Sequence, residues 1–255
     1  LVVLLHGFPE FWYAWKHQII ALIDAGYRVV APDMRGYNSS SKPKRVSDYS
    51  IDKLCADVNG LVHSLGESET ILVGHDWGAA VAWAVPMWFP NLVTKLIICN
   101  VPHPHRMAQG LKTFKQLRKS WYMAFFQLPL IPERTLSADG YKAIQKSLKL
   151  AGTEAFSQHD IDLYVEAAAQ PGALTGAVNY YRAAARSKAG FRWEVINCPT
   201  LVIWGQRDSF LGEELSDPDP KWVPDCRLEK IPSAGHWVQN EAPEKVNELL
   251  LGFIG

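Results

Sequence analysis

Val73-Gly74-His75-Asp76-Trp77-Gly78-Ala79 is the stretch that most restricts what this chain can become. Ile71 to Val73 reads as the end of a buried parallel strand. Trp77 onward reads as a helix through Ala79, Ala80, Val81, Ala82, Trp83 and Ala84. Small residues at Gly74, Gly78 and Ala79 flank a single polar side chain, Asp76, at the turn. This is the form of a nucleophile elbow, a sharp strand-to-helix turn that exposes one reactive group above a sheet. Glycines are needed because the turn is strained and the helix packs close to the strand. Serine is the more familiar residue at such a tip, so the aspartate decides the chemistry.

With 255 residues and 48% hydrophobic composition, the chain can bury a sizeable core as one domain, or as one domain with an insertion. Lys+Arg and Asp+Glu are both 26, so there is no basic excess for nucleic acid. No apolar run approaches the ~18 residues of a membrane span. The cysteines (Cys55, Cys99, Cys198, Cys226) lack metal or redox spacing, and Cys99 and Cys198 read as reduced core residues. A cytoplasmic location is the expectation, as a monomer or homodimer. Leu1 to Leu5 is already a buried strand with no methionine, so the chain is expected to begin partway into a domain, and an upstream targeting segment would be invisible.

Taken in order, Leu1 to Leu5 runs into the loop His6-Gly7-Phe8-Pro9-Glu10, with Phe8-Pro9 a candidate cis peptide. A helix is expected over 11–25, a strand over 27–31, a turn at Pro32 to Gly36 and a polar surface loop from Asn38 to Asp48. Ser50 is the expected cap of a helix reaching about Leu65. The elbow strand covers 70–73, and Pro86 predicts a kink or an end in the helix after it. Further strands are expected at 95–100, 200–204 and 227–231, and a closing helix at 241–254. Between the strands at 95–100 and 200–204 the periodicity is helical, with candidates at about 106–126, 137–150, 160–169 and 174–186. Strands alternating with helices predict an α/β fold, a mostly parallel sheet covered on both faces. The helical block predicts an inserted cap over residues 102–198, with the core formed by 1–101 and 199–255.

A carboxylate at an elbow tip is ionised at neutral pH without help, its reference pKa being about 3.9. Attack on an acyl carbon would give an anhydride, whereas displacement at a saturated carbon gives an alkyl ester that water can cleave. An epoxide or an alkyl halide is therefore the expected electrophile. The plainer alternative, a solvent-facing Asp in a helix N-terminal turn, fits the strand and small flanking residues less well. Cleaving the ester requires a histidine to activate water and an acid to orient it, in the chain order acid then histidine. Trp204-Gly205-Gln206-Arg207-Asp208 follows one strand and offers Asp208, with Glu213, Glu214, Asp217 and Asp219 as nearby alternatives. Ala234-Gly235-His236-Trp237 follows the last strand and offers His236. Asn100, also at a strand end, is uncharged and cannot replace the acid. The backbone N–H groups of Trp77, after the nucleophile, and Phe8, after the first strand, are the expected oxyanion hole. His75 reads as a structural neighbour of the elbow, and Asp33 and Arg35 as a pair shaping the loop beneath it. His103 and His105 sit at the cap hinge without metal spacing, and His17, His63 and His159 read as helix-surface residues.

His6-Gly7-Phe8-Pro9-Glu10 with Trp12, Gly74-His75-Asp76-Trp77-Gly78 and Gly235-His236-Trp237 together resemble the signatures of the α/β-hydrolase-fold epoxide hydrolases, and the match covers essentially the whole chain. The resemblance implies two cap tyrosines that donate hydrogen bonds to the epoxide oxygen. One falls in Trp121-Tyr122-Met123-Ala124-Phe125-Phe126-Gln127 and the other precedes the arginine of Asn179-Tyr180-Tyr181-Arg182. The implied pair is Tyr122 and Tyr181, with Tyr180 the competitor. Opening an epoxide leaves a basic alkoxide, so a donor such as a phenol is chemically required. Trp12, Trp77, Trp121, Phe125, Phe126 and Trp237 are expected to line an apolar pocket, and no cofactor or metal is required. Members of the family ordinarily have two strands ahead of Leu1-Val2-Val3, an ordinary helix former at Pro86 and often glycine at Asn38. A haloalkane or haloacid dehalogenase would share Asp76, Asp208 and His236; a halide needs N–H donors, of which the Phe8 side chain offers none while Trp77 alone could serve. A non-catalytic relative acting as a binding module is the reading from a different class.

Overall fold

The computed structural model describes residues 1–152, 155–186, 190 and 192–255. Residues 153–154, 187–189 and 191 of the expected cap lie outside that set. Strands β1 (Val2–Leu5), β2 (Val29–Val30), β3 (Thr70–His75), β4 (Val93–Cys99), β5 (Thr200–Gly205) and β6 (Cys226–Ile231) form one sheet in the order β2-β1-β3-β4-β5-β6. Every adjacent pair is parallel.

Strand geometry sends successive side chains to opposite faces. Val2, Leu4, Val73, Ile97, Leu201 and Ile203 join one core cluster with Trp15, Leu22, Val246 and Leu250. Val3, Leu5, Leu72, Leu96, Ile98 and Val202 join the other with Leu54, Val58, Ala82 and Trp83. Both faces are therefore covered, which is why the strands read as continuous apolar runs. Helices α1 (Lys16–Asp24), α2 (Ile51–Ser64) and α3 (Trp77–Trp88) follow the first strands. Between β4 and β5 come α4 (Pro104–Gly110), α5 (Phe114–Lys119), α6 (Trp121–Phe125), α7 (Ile131–Lys149), α8 (Gln158–Ala169) and α9 (Ala173–Arg186), and after β6 come α10 (Val238–Glu241) and α11 (Pro243–Ile254). None of the described helices is long and apolar enough to cross a membrane.

Several expected elements are shorter or broken. The helix expected at 11–25 opens as a 3-10 turn over Trp12–Trp15 and becomes α-helical only at Lys16. The strand expected at 27–31 shrinks to β2, an edge strand bonded to β1 alone. The 106–126 helix divides into α4, α5 and α6, because Thr113 caps a new start with its Oγ1 accepting from Gln116 N–H. Non-helical backbone over Ala138 to Tyr141 interrupts α7. Ser50 precedes α2, but its hydroxyl donates to the Ser47 carbonyl (3.1 Å) and caps nothing. Helix α3 runs through Pro86 and ends two residues later. The Phe8–Pro9 peptide is cis. Asn38 has φ +39°, a left-handed conformation that glycine adopts freely and asparagine tolerates. The four cysteines are free thiols, Cys55 and Cys99 buried and Cys198 and Cys226 partly so.

Tight packing of α3 against the sheet sets the elbow. A Cβ on Gly74 would lie 2.6 Å from the Gly78 carbonyl oxygen, and one on Gly78 would collide with the backbone of Leu5 and His6. Gly78→Ala is expected to destabilise the protein by about 1–3 kcal/mol through overpacking. Gly60→Ala, at an exposed position of α2 where an added Cβ meets nothing within 4 Å, should instead stabilise it by up to about 1 kcal/mol. Urea unfolding midpoints at a common m-value check both.

Candidate active site

Asp76 ends β3 and begins α3 with φ +47° and ψ −122°, a conformation that side chains rarely adopt and that costs on the order of 1–3 kcal/mol. The turn lifts the carboxylate off the sheet. Its Oδ1 accepts the Phe8 N–H at 2.7 Å, and its Oδ2 lies 3.5 Å from His236 Nε2. Burial alone would push the carboxyl up, but His236, His75 and the Phe8 N–H outweigh it and hold the group below its ordinary value. Trp77 follows as the first residue of α3, where a helix has N–H groups free of intrahelical partners.

His236 sits in the loop after β6 with Nδ1 2.8 Å from Asp208 Oδ2. A carboxylate only accepts, so this contact places a proton on Nδ1. Burial opposes the imidazolium, yet Asp208 and then Asp76 push it well above the ordinary histidine value. Asp208, nearly buried, is in turn held below the usual carboxylate range despite desolvation, through His236, Asn100 and the backbone N–H groups of its own loop. Its Oδ1 accepts from Phe210 N–H (2.7 Å) and Leu211 N–H (2.9 Å), and its Oδ2 also accepts from Asn100 Nδ2 (2.8 Å). Glu213, Glu214, Asp217 and Asp219 do not take this place. Glu213 pairs with Lys230 and Glu214 with Lys115.

Three supporting residues were not anticipated as such. Asn100 cannot substitute for the acid but holds it: with φ +48° at the end of β4, it accepts Gly205 N–H on Oδ1 (2.7 Å) while donating to Asp208. Glu10, fully surrounded, accepts Gly7 N–H (2.7 Å) and meets His75 Nδ1 (2.8 Å), and His75 Nε2 donates to the His236 carbonyl (2.8 Å). His75 is thus the structural neighbour expected, bridging the first loop to the histidine loop. Glu241 accepts the N–H groups on either side of His236, from Gly235 (2.6 Å) and Trp237 (3.0 Å). For Asn100 the available signal was a polar residue at the end of an apolar strand, which says that a partner exists without saying which. Glu10, in the loop after β1, and Glu241, in α10, carried no such signal.

The helices between β4 and β5 bring Tyr122 (α6) and Tyr181 (α9) over Asp76, their rings edge to face at 5.9 Å. Tyr180 is excluded, because its hydroxyl donates to the Arg35 carbonyl (2.8 Å). Two cavities of about 590 and 250 Å³ share Asp76, Tyr122 and Tyr181 in their walls. Trp77 lines the larger. Trp121, Phe125, Phe126, His236 and Trp237 line the smaller. Burial pushes both phenols well above their ordinary value, with the Asp76 charge adding to it. Arg182, next to Tyr181, pairs with Glu133 and donates to the Phe126 and Leu128 carbonyls, tying the two tyrosine segments together.

Two expectations are corrected. Trp12 does not line either cavity: it is 41% exposed on the 3-10 turn, with its N–H donated to Asp33. Asp33 and Arg35 do not pair. Arg35 forms a two-pronged bridge to Asp57 of α2, while Asp33 accepts from Trp12 N–H and Asn38 Nδ2.

A family model described as the alpha/beta hydrolase fold matches residues 1–243. The AB hydrolase superfamily protein YfhM of Bacillus subtilis is 43% identical over 256 residues, spanning all of this chain and 90% of that protein. Epoxide hydrolase 1 of Caenorhabditis elegans is 39% identical over 261 residues, again across the whole chain but over 64% of that longer protein. The crystal structure of Bacillus megaterium epoxide hydrolase with an inhibitor superposes with a TM-score of 0.92 at 32% identity, covering 99% of this chain and 92% of that one.

The charge arrangement predicts a pH dependence of stability. His236 has a raised folded value, so its contribution is full below the unfolded imidazole pKa of about 6.5 and is lost as pH rises through the folded value. Asp76 and Asp208 have depressed values, so theirs is full above about 3.9 and is lost as pH falls through the folded values. Melting temperatures should therefore decline on the alkaline side from about pH 6.5. In His236→Gln that alkaline decline should largely vanish, and thermal melts at fixed pH values compare the two.

Proposed function

The chain belongs to the epoxide hydrolases of the α/β-hydrolase fold, and on that premise we propose that it converts an apolar epoxide to a vicinal diol through an ester on Asp76. The observation that carries this reading is the set of groups around one carboxylate. Asp76 lies between the Phe8 N–H and His236 and opens into cavities that also hold two phenols. In the first step an Asp76 oxygen attacks a ring carbon and the C–O electron pair moves to the epoxide oxygen. That oxygen takes a proton from Tyr122 or Tyr181, whose raised values still lie within reach of a basic alkoxide.

Alkylation then cancels the Asp76 charge, one of the two that keep His236 protonated. The imidazolium returns a proton to the tyrosinate and becomes the neutral base required next. It takes a proton from water, and the hydroxide adds to the ester carbonyl. The resulting oxyanion rests on the N–H groups of Phe8 and Trp77, the first of which already donates to Asp76. Collapse of this intermediate expels the ester oxygen, which takes its proton from the His236 imidazolium as the diol leaves. The carboxyl group formed on Asp76 returns a proton to His236 and the carboxylate is regenerated. Asp208 holds the imidazole orientation throughout. In this reading residues 1–101 and 199–255 supply the nucleophile, acid and base, and 102–198 the tyrosines and most of the apolar wall. A dehalogenase would use the same three residues, but a departing halide needs no proton, which leaves the two phenols without purpose.

Asp76→Ala should cut diol formation below about one thousandth of the wild-type rate. His236→Gln should stall after the first step, so intact-protein mass spectrometry should find the enzyme heavier by one substrate. Tyr122→Phe and Tyr181→Phe should each cost roughly 10²-fold in the first step, and the double variant more. Full turnover by Asp76→Ala, or halide release from a chloroalkane with no diol from a styrene-type epoxide, would overturn the assignment.

A further inference from the structure

Helix α5 is built inside out. Its inward positions are polar: Gln116 is buried and bonds Ser120, the Phe210 carbonyl and Gly212 N–H, while Lys119 donates to the carbonyls of Asp208 and Leu211. Of its outward positions two are apolar, Phe114 (82% exposed) and Leu117 (51%), and two are cationic, Lys115 and Arg118. The pattern continues past the helix through Trp121 at 65%, then Leu128, Leu130 and Ile131. Six of the twelve exposed large apolar side chains of the described residues fall within Phe114 to Ile131. An apolar patch of this concentration marks an interaction surface.

Charge says what kind. In a chain with 26 charges of each sign, residues 104–134 carry six lysines and arginines against one glutamate, Glu133, which Arg182 already neutralises. Lys115 pairs with Glu214 of the neighbouring loop, whereas Lys112, Arg118 and Arg134 are exposed and form no salt bridge among the described residues. Aromatic and aliphatic side chains rimmed by cations are the composition of an interfacial surface helix. We propose that the face from Phe114 to Arg134 docks on an anionic membrane surface, inserting Phe114, Leu117 and Trp121 between headgroups while the cations meet the lipid phosphates. A second copy of the chain is disfavoured there, since it would bring two cationic rims together. The face is also continuous with the site. Trp121 is exposed yet walls the smaller cavity, and the exposed Ala124 walls the larger. A docked molecule would accept apolar compounds straight from the bilayer; that last consequence rests on the epoxide reading, but the docking does not.

Flotation with vesicles tests it. The wild-type protein should float at low salt with an equal mixture of phosphatidylcholine and phosphatidylglycerol, bind pure phosphatidylcholine about tenfold less, and release as salt rises. Phe114→Ser with Leu117→Ser should lose at least about tenfold in binding while hydrolysing a small water-soluble epoxide at the wild-type rate. Lys112→Glu with Arg118→Glu should lose the preference for anionic lipid. Asp76→Ala should float like wild type, so a failed docking result and a failed catalytic assignment are separately visible. Absence of flotation at low salt, unchanged binding by the Phe114/Leu117 variant, or a concentration-dependent dimer that this variant abolishes would overturn the proposal.

Discussion

One carboxylate kept charged inside the protein is the constraint that the rest of the structure serves. Removing Asp76 from water opposes its ionisation, and the backbone that carries it is strained. The compensation is local and complete on each oxygen: a peptide N–H at 2.7 Å on Oδ1 and an imidazole at 3.5 Å on Oδ2. A single imidazolium between two carboxylates leaves one negative charge over, and that charge rests on Asp208, which collects two peptide N–H groups and an amide besides His236. Such a cluster stands because every partner is fixed, and removing any one would strand a buried charge.

The sheet order explains how so many partners converge. The carboxyl ends of β1, β3, β4, β5 and β6 lie side by side, and each ends in one piece of the site. Phe8 follows β1, Asp76 follows β3, Asn100 follows β4, Asp208 follows β5 and His236 follows β6. Parallel pairing keeps these ends on one edge, with His75 level with Cys99, Cys99 with Ile203 and Gly205 with Ile231. Antiparallel pairing would send alternate ends to opposite edges. The parallel topology is thus a requirement of the site and not only of the core.

The parts legible in the sequence are those whose determinants are local. The elbow needs small residues at fixed spacing, because Gly74 and Gly78 touch α3 and β1 directly, and that spacing is visible in the chain. Asp208 and His236 were picked out by their places after strands, and the fold brings them within 2.8 Å of each other. The tyrosine pair came from resemblance, and what separates Tyr181 from Tyr180 is a contact with the Arg35 carbonyl, more than a hundred positions away in the chain. Trp12 and the Asp33–Arg35 pair failed for the same kind of reason. A 3-10 turn replaced the first turn of an expected helix and rotated Trp12 outward, while Asp57 on α2 supplied Arg35 with a better-placed acceptor. The buried Glu10 and Asn100 and the half-buried Glu241 are polar residues whose placement could be read only once their acceptors and donors were in place.

Helix α5 shows why an exposed apolar face cannot be dismissed as loose packing. The loop it covers, Asp208 to Gly212, presents carbonyls at Asp208, Phe210 and Leu211 and an N–H at Gly212 toward the helix. Buried backbone groups must be matched, so the inner positions of α5 have to be polar, and Gln116 and Lys119 match all four. That requirement accounts for the inner face and says nothing about the outer one, where serine or glutamate would satisfy the fold equally well. Phe114 and Leu117 therefore stand where folding exerts no demand for them. Because the helix that presents them also fixes the loop of Asp208, whatever meets the outer face bears on the loop that holds the hydrogen-bond partner of His236.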